Sequence, residues 1–225
     1  MLSSLLSGNI DFMDTLIYIL STLAVIFLTL PIHEFAHAFA ADKLGDPTPR
    51  YQGRLTLNPF AHLDIIGSLS ILFFGFGWAK PVQVNPYNFK NSKGGMGIVA
   101  FAGPLSNLVV AFLSLLMVKI ISLFAVSQIA IYIVLFFVGI ARINVSLAVF
   151  NLIPVPPLDG SRILGIILPD RIYYKIMQYE RYIYFGLMLL IFTNVLDVPI
   201  YLATNSILNG FFSILNLSPY LLYLV

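Results

Sequence analysis

Between residues 15 and 32 the chain is apolar except for Ser21 and threonine hydroxyls, and this run leads directly into HEFAH at residues 33–37. About 20 such residues in a helix cross the roughly 30 Å hydrocarbon core of a bilayer. A first membrane-spanning helix is therefore expected over residues 14–41, and it carries ionisable side chains into the membrane. Apolar runs further along predict helices over residues 97–118, 127–150, 181–196 and 200–225. The expected fold is an all-α polytopic membrane protein with about five transmembrane helices. Composition agrees, since 59% of the 225 residues are hydrophobic and 10% charged, against roughly 25% charged in soluble domains. A net charge of +2 is too small for a nucleic-acid partner held by phosphate neutralisation, so the partner implied by composition is the lipid bilayer.

No Lys or Arg precedes the first run, and it continues into HEFAH rather than a small-residue cleavage site. It reads as retained structure rather than as a signal peptide. The spans use most of the length, so one integral membrane domain over residues 1–225 is expected. Cysteine is absent, which leaves His, Asp and Glu as the side chains for any metal.

Residues 65–78 (IIGSLSILFFGFGW) are apolar but differ from the other runs, because 14 residues in a helix reach only about 21 Å. Gly75 and Gly77, followed by AKPVQVNP, suggest a turn and extended chain, hence a glycine-rich, β-hairpin-like re-entrant segment that enters and leaves on one side. Charge placement favours the same reading. Lys43, Arg50 and Arg54 precede the segment, Lys80, Lys90 and Lys93 follow it, and Arg162, Arg171, Lys175 and Arg181 lie two crossings later. All three loops share a side only if the segment turns back, and positive-inside then makes that side cytoplasmic.

The chain has three His and two Glu, and two of the His with one Glu form HEFAH. Chance placement would give this pattern with a probability of roughly 3 in 10,000, so it reads as the HExxH zinc signature. On a helix, positions i and i+4 share a face. His33 and His37 can then bind one Zn²⁺ while Glu34 serves as general base. Catalytic zinc takes three protein ligands. A further His in the HExxHxxGxxH pattern is excluded, since Ala40 stands at its glycine position and Lys43 at its third His. Glu180 lies beside Arg181, where an ion pair is the simpler role. Asp159 is favoured, in NLIPVPPLDG at residues 151–160, where three prolines hold the chain extended at the end of a span. Taken alone, its Asp-Gly pair is a turn or helix cap. Beside an intramembrane HExxH it becomes the third ligand.

HEFAH in a membrane helix together with NLIPVPPLDG downstream resembles the site-2 protease family of intramembrane zinc metalloproteases. GRLTLNPFAHLD, FGFGWAKPVQVNP and AGPLSN are similar to its compact prokaryotic members, which lack PDZ and CBS domains. The resemblance covers most of the chain. It implies one zinc on His33, His37 and Asp159, Glu34 as general base, and Asn151 as a substrate-positioning residue. Substrates would be transmembrane segments, and the location a prokaryotic cytoplasmic membrane with the active site toward the cytoplasm. A helical substrate must unwind before attack, and the segment with Gly75 and Gly77 offers it a strand edge. The competing class is a metal transporter or sensor, and a third reading hydrolyses a lipid or small amide; a transporter needs no general base. His62 and Asp64 read as a capped entrance to the re-entrant segment more simply than as a second metal pair. Asn107, Arg142 and Asn144 lie inside spans, where such side chains are expected to face protein or water.

Overall fold

The computed structural model describes residues 12–74, 77–124 and 127–223. Three helices are long and apolar enough to cross a membrane: α1 (Phe12–Lys43), α5 (Ser92–Phe124) and α6 (Gln128–Asn151). Between α1 and α5 lie the short helices α2 (Thr48–Tyr51), α3 (Pro59–His62) and α4 (Ile65–Phe74). After α6 come α7 (Asp159–Ile167), α8 (Asp170–Gln178), α9 (Glu180–Phe192) and α10 (Asp197–Ile214). No strand is present among the described residues.

Small and branched side chains let the long helices close on one another. Ala111, Leu115 and Val118 of α5 pack with Val134, Val138, Ala141 and Val145 of α6, and Leu208 and Phe212 of α10 complete the cluster. α1 joins α6 through polar contacts suited to lipid, where helices gain little from excluding water. Ser21 Oγ donates to the Phe136 carbonyl at 3.1 Å, and Asn144 Nδ2 reaches Thr29 Oγ1 at 3.4 Å. Thr29 ends a single π-helical turn, Val25–Thr29, one turn ahead of HEFAH.

Two sequence expectations are corrected here. The five-span count is not reproduced, because α9 has 13 residues and reaches about 20 Å, and α9 and α10 are bent by 81° at their break. Counted as one broken span they make a fourth. Asn194 in the left-handed region, with φ of 57°, breaks the helix there. Pro199 sits in the first turn of α10, where a missing N–H is tolerated.

The second correction concerns residues 65–78, whose described residues form a helix and no hairpin strands. Residues 65–74 form α4, capped by Asp64, whose Oδ1 accepts the Gly67 N–H at 2.9 Å. A helix satisfies its own backbone in apolar surroundings, whereas a two-stranded ribbon leaves its outer edges unpaired. The chain still returns to its starting point. Leu63 and Ala79 form an antiparallel bridge, and the Lys80 N–H donates to the His62 carbonyl at 2.7 Å. Gly75 lies outside the described residues. Gly77 faces Gly67 across the return, and a Cβ on Gly77 would meet the Gly67 carbonyl oxygen and lie 2.7 Å from Ile71 Cγ1. Glycine is required because two backbones touch.

Beyond this return, residues 79–88 run back over the end of α1 and are pinned by Asp46, which is fully buried. Its Oδ1 accepts from the Thr48 N–H at 3.1 Å, the Thr48 hydroxyl at 2.6 Å and Asn88 Nδ2 at 2.6 Å, while Oδ2 accepts from the Asn85 N–H at 2.7 Å. Burial raises the pKa of the carboxyl, but these donors outweigh burial and hold it below its ordinary value of 3.8. The contribution of this carboxylate to stability is therefore complete above that value and is lost only as pH falls toward the lowered one. Gln52 and Gln83 join the same loops, and Lys93 pairs with Asp170 at 2.8 Å. The three basic loops meet at one end of the bundle.

Gly67→Ala and Gly77→Ala are each expected to destabilise the protein by about 1–3 kcal/mol through overpacking. Thermal unfolding in detergent measures this, and an unchanged midpoint in both variants would show that the backbone contact is not maintained.

Candidate metal centre

Residues separated by more than a hundred positions converge where α1, α5 and α7 meet. His33 and His37 lie one turn apart on the buried face of α1, and Asp159 opens α7 after the proline-rich turn. Gly160 permits that turn, because a Cβ there would lie 2.5 Å from the Ile153 carbonyl oxygen and closer to that of Leu152. The two Nε2 atoms stand 3.0 Å apart, and Asp159 Oδ2 is 3.5 Å from the first and 3.4 Å from the second. Tetrahedral zinc ligands at about 2.0–2.2 Å from the metal are separated by about 3.3 Å from one another. The triad has the size of a zinc cradle.

The remaining atoms of the triad behave as ligands would. His37 Nδ1 lies 2.8 Å from the Val99 carbonyl of α5. This contact fixes the tautomer that donates from Nδ1 and leaves the Nε2 lone pair free for a cation. Asp159 Oδ2 is buried without a hydrogen-bond partner, as is His33 Nδ1. The triad is the group of three His, Cys, Asp or Glu among the described residues whose donor atoms could hold one ion.

Glu34 is buried beside the triad, and its Oε2 accepts the Val82 N–H at 3.2 Å. The residues after the return thus lie against this carboxylate. Asn151 ends α6 with its amide donating to the Leu147 carbonyl at 3.0 Å. Among the described residues no hydrogen bond joins it to the triad. Gly77 lies in the return against Gly67 rather than beside the histidines. His62 is fully buried, with Nε2 2.8 Å from the Thr56 carbonyl. It belongs to the α3 entrance, and Asp64 to the α4 cap.

Gly103 was not singled out by sequence reasoning. A Cβ on Gly103 would lie 2.6 Å from His33 Cε1 and closer to His37 Nε2, so only glycine lets α5 back onto both imidazoles. Its signal was a glycine before Pro104 inside a helical run, where neither residue is favoured for helix formation. Gly103→Ala is expected to weaken metal binding at least tenfold by displacing the imidazoles, with the fold retained. Isothermal titration with zinc tests this, and wild-type affinity would show that the helix can move away.

The model of Peptidase family M50 matches residues 117–193. The chain is 41% identical over 168 residues to "Putative zinc metalloprotease YwhC" of Bacillus subtilis, covering 73% of this chain and 75% of that protein. Rip2 of Mycolicibacterium smegmatis, described in the same words, is 33% identical over 141 residues, which are 59% of this chain and 51% of Rip2. MJ0611 of Methanocaldococcus jannaschii, also so described, is 30% identical over 158 residues, covering 66% of this chain and 71% of that protein. No solved structure matches the chain.

Proposed function

The chain belongs to peptidase family M50, the site-2 protease family, and we propose that it is an intramembrane zinc endopeptidase that hydrolyses peptide bonds of transmembrane segments. The observation that carries this reading is the meeting of His33, His37 and Asp159 at metal-ligand spacing beside the buried Glu34. His33, His37 and the Asp159 carboxylate would hold the zinc. When bound, zinc supplies Lewis acidity toward the scissile carbonyl and makes nearby water more acidic. Glu34 takes the proton from the attacking water and returns it to the leaving amine. The Val82 N–H holds the Glu34 carboxylate in place. Asn151, eight residues before Asp159, positions the substrate.

A helical substrate conceals its peptide bonds in internal hydrogen bonds and must open before attack. Gly75 and Gly77 offer main-chain partners to the opened segment and leave its side chains loosely specified. Residues 1–225 act as one catalytic unit. The end of the bundle bearing the basic loops faces the cytoplasm of a prokaryotic cell.

The test uses purified protein and model transmembrane segments. His33→Ala, His37→Ala and Asp159→Asn are expected to lose zinc and cleavage together. Glu34→Gln is expected to retain zinc and lose roughly 10² to 10⁴ in rate, the usual worth of general base catalysis. Wild-type turnover by Glu34→Gln would favour a metal carrier, which needs no base. Orientation has its own check, since the chain lacks cysteine and Lys43→Cys, Lys90→Cys and Arg171→Cys can be labelled singly. All three should report the cytoplasm, and labelling of position 90 from the opposite side to position 43 would contradict the re-entrant path.

A further inference from the structure

We propose that Asp46 is a positioning residue for peptide hydrolysis, acting through the strap of residues 79–88 to hold the Val82 amide against Glu34. The inference rests on Glu34 being the general base. Its starting point is that the only hydrogen bond found on the Glu34 carboxylate among the described residues comes from a main-chain N–H 48 positions away. Val82 belongs to no helix and to no ladder, so its position depends on what fixes the strap at either end.

Both ends are fixed by identifiable contacts. At the first end, the Leu63–Ala79 bridge and the bond from the Lys80 N–H to the His62 carbonyl tie the strap to the α3–α4 junction. Arg54 adds to this anchor, its guanidinium reaching the carbonyl oxygens of Ala61 and Lys80. At the other end the anchor is Asp46. Its carboxylate accepts from the Asn85 amide and the Asn88 side chain, and from Thr48 on its own loop. Asp46 follows α1 directly, and the Asp46 N–H donates to the Ala41 carbonyl at 3.0 Å. The anchor is thereby tied to the end of the helix that carries Glu34. Val82 is held between the return and this anchor, three residues from Asn85.

A buried carboxylate with four donors exceeds what a surface turn needs. Its placement makes sense as a way to fix the distance from the end of α1 to the residue that touches Glu34. Loss of the anchor frees residues 82–88 and lets the Glu34 carboxylate adopt other rotamers, while the three zinc ligands, which share no hydrogen bond with the strap among the described residues, remain in place.

The experiment uses the full zinc-loaded chain in detergent. Asp46→Ala removes all four bonds. Asp46→Asn is milder, because it keeps one carbonyl oxygen for Thr48 and Asn88 and loses the acceptor for the Asn85 amide. Val82→Pro removes the N–H itself. Each is expected to lower kcat by about 10-fold or more with KM and zinc stoichiometry within about twofold of wild type. The double variant Asp46→Asn/Val82→Pro should be no slower than the slower single variant, since both break one connection. Hydrogen–deuterium exchange provides a readout independent of turnover, with faster exchange at residues 80–88 in Asp46→Asn and unchanged exchange at residues 30–40. Multiplicative losses in the double variant, a raised KM at unchanged kcat, or wild-type kcat in Asp46→Asn would each overturn the proposal. Those results leave the protease reading intact if Glu34→Gln is inactive with zinc bound, whereas an active Glu34→Gln removes the premise.

Discussion

Two imidazoles and a carboxylate brought together away from water are unfavourable unless their lone pairs converge on a cation. Around His33, His37 and Asp159 this requirement organises the neighbouring structure. α5 must come close enough for the Val99 carbonyl to accept from His37, which demands glycine at 103. The proline turn must deliver Asp159 from the end of α6 back toward α1, which demands glycine at 160. The histidines lie about two turns from the end of α1, so the turn can reach them from the same end of the bundle that carries the loops.

A second constraint is the cost of irregular backbone near lipid. The return between α3 and α5 meets it by pairing inward, with α4 satisfying itself and residues 79–80 bonding to residues 62–63. Ile71 of α4 packs on Ile26 and Leu30 of α1, just ahead of HEFAH. The α4 return is thereby joined to the helix that carries HEFAH. The strap leaves this unit already aligned with Glu34.

HEFAH was legible because few residue types bind zinc and their spacing on a helix is fixed, and Asp159 because prolines and an Asp-Gly pair at the end of a span are unusual. Hydropathy placed α1 and α6 to within two residues, whereas α5 begins five residues before and ends six residues after the expected 97–118. The path of residues 65–78 was legible only in outline. Glycines at 75 and 77 announced a return, but the same apolar run suits helix or strand, and the Asp64 cap with intrahelical bonding decides for helix. Two separate helices after residue 180 were legible, but the 81° bend between α9 and α10 at the left-handed Asn194 was not, because hydropathy carries no signal for it. The donor to Glu34 was invisible for a different reason. It is a main-chain N–H, which every residue except proline possesses, and only the folded path selects Val82. Asp46 was similarly hidden, since an aspartate after a helix ordinarily caps its own turn, as this one also does with Thr48.

The three ligands reach one point because they are referred to one helix, α5. Its first turns hold α7 and the chain after it. Lys93 donates to the Leu168 carbonyl at 2.6 Å and pairs with Asp170, and Gly97 receives the Ile166 side chain of α7 so closely that a Cβ there would collide with it. Six residues later, Gly103 receives the imidazoles of α1. Six residues of α-helix span about 9 Å, so the interval between the seat of α7 and the seat of α1 is set by backbone geometry rather than by flexible side chains. Asp159, at the start of α7, is held relative to His33 and His37 by that interval. A metal site assembled from two distant segments gains its precision in this way, since rigid elements hold ligands more tightly than loops do. The strap is the exception, because it reaches the site from a loop and needs its own anchors at both ends.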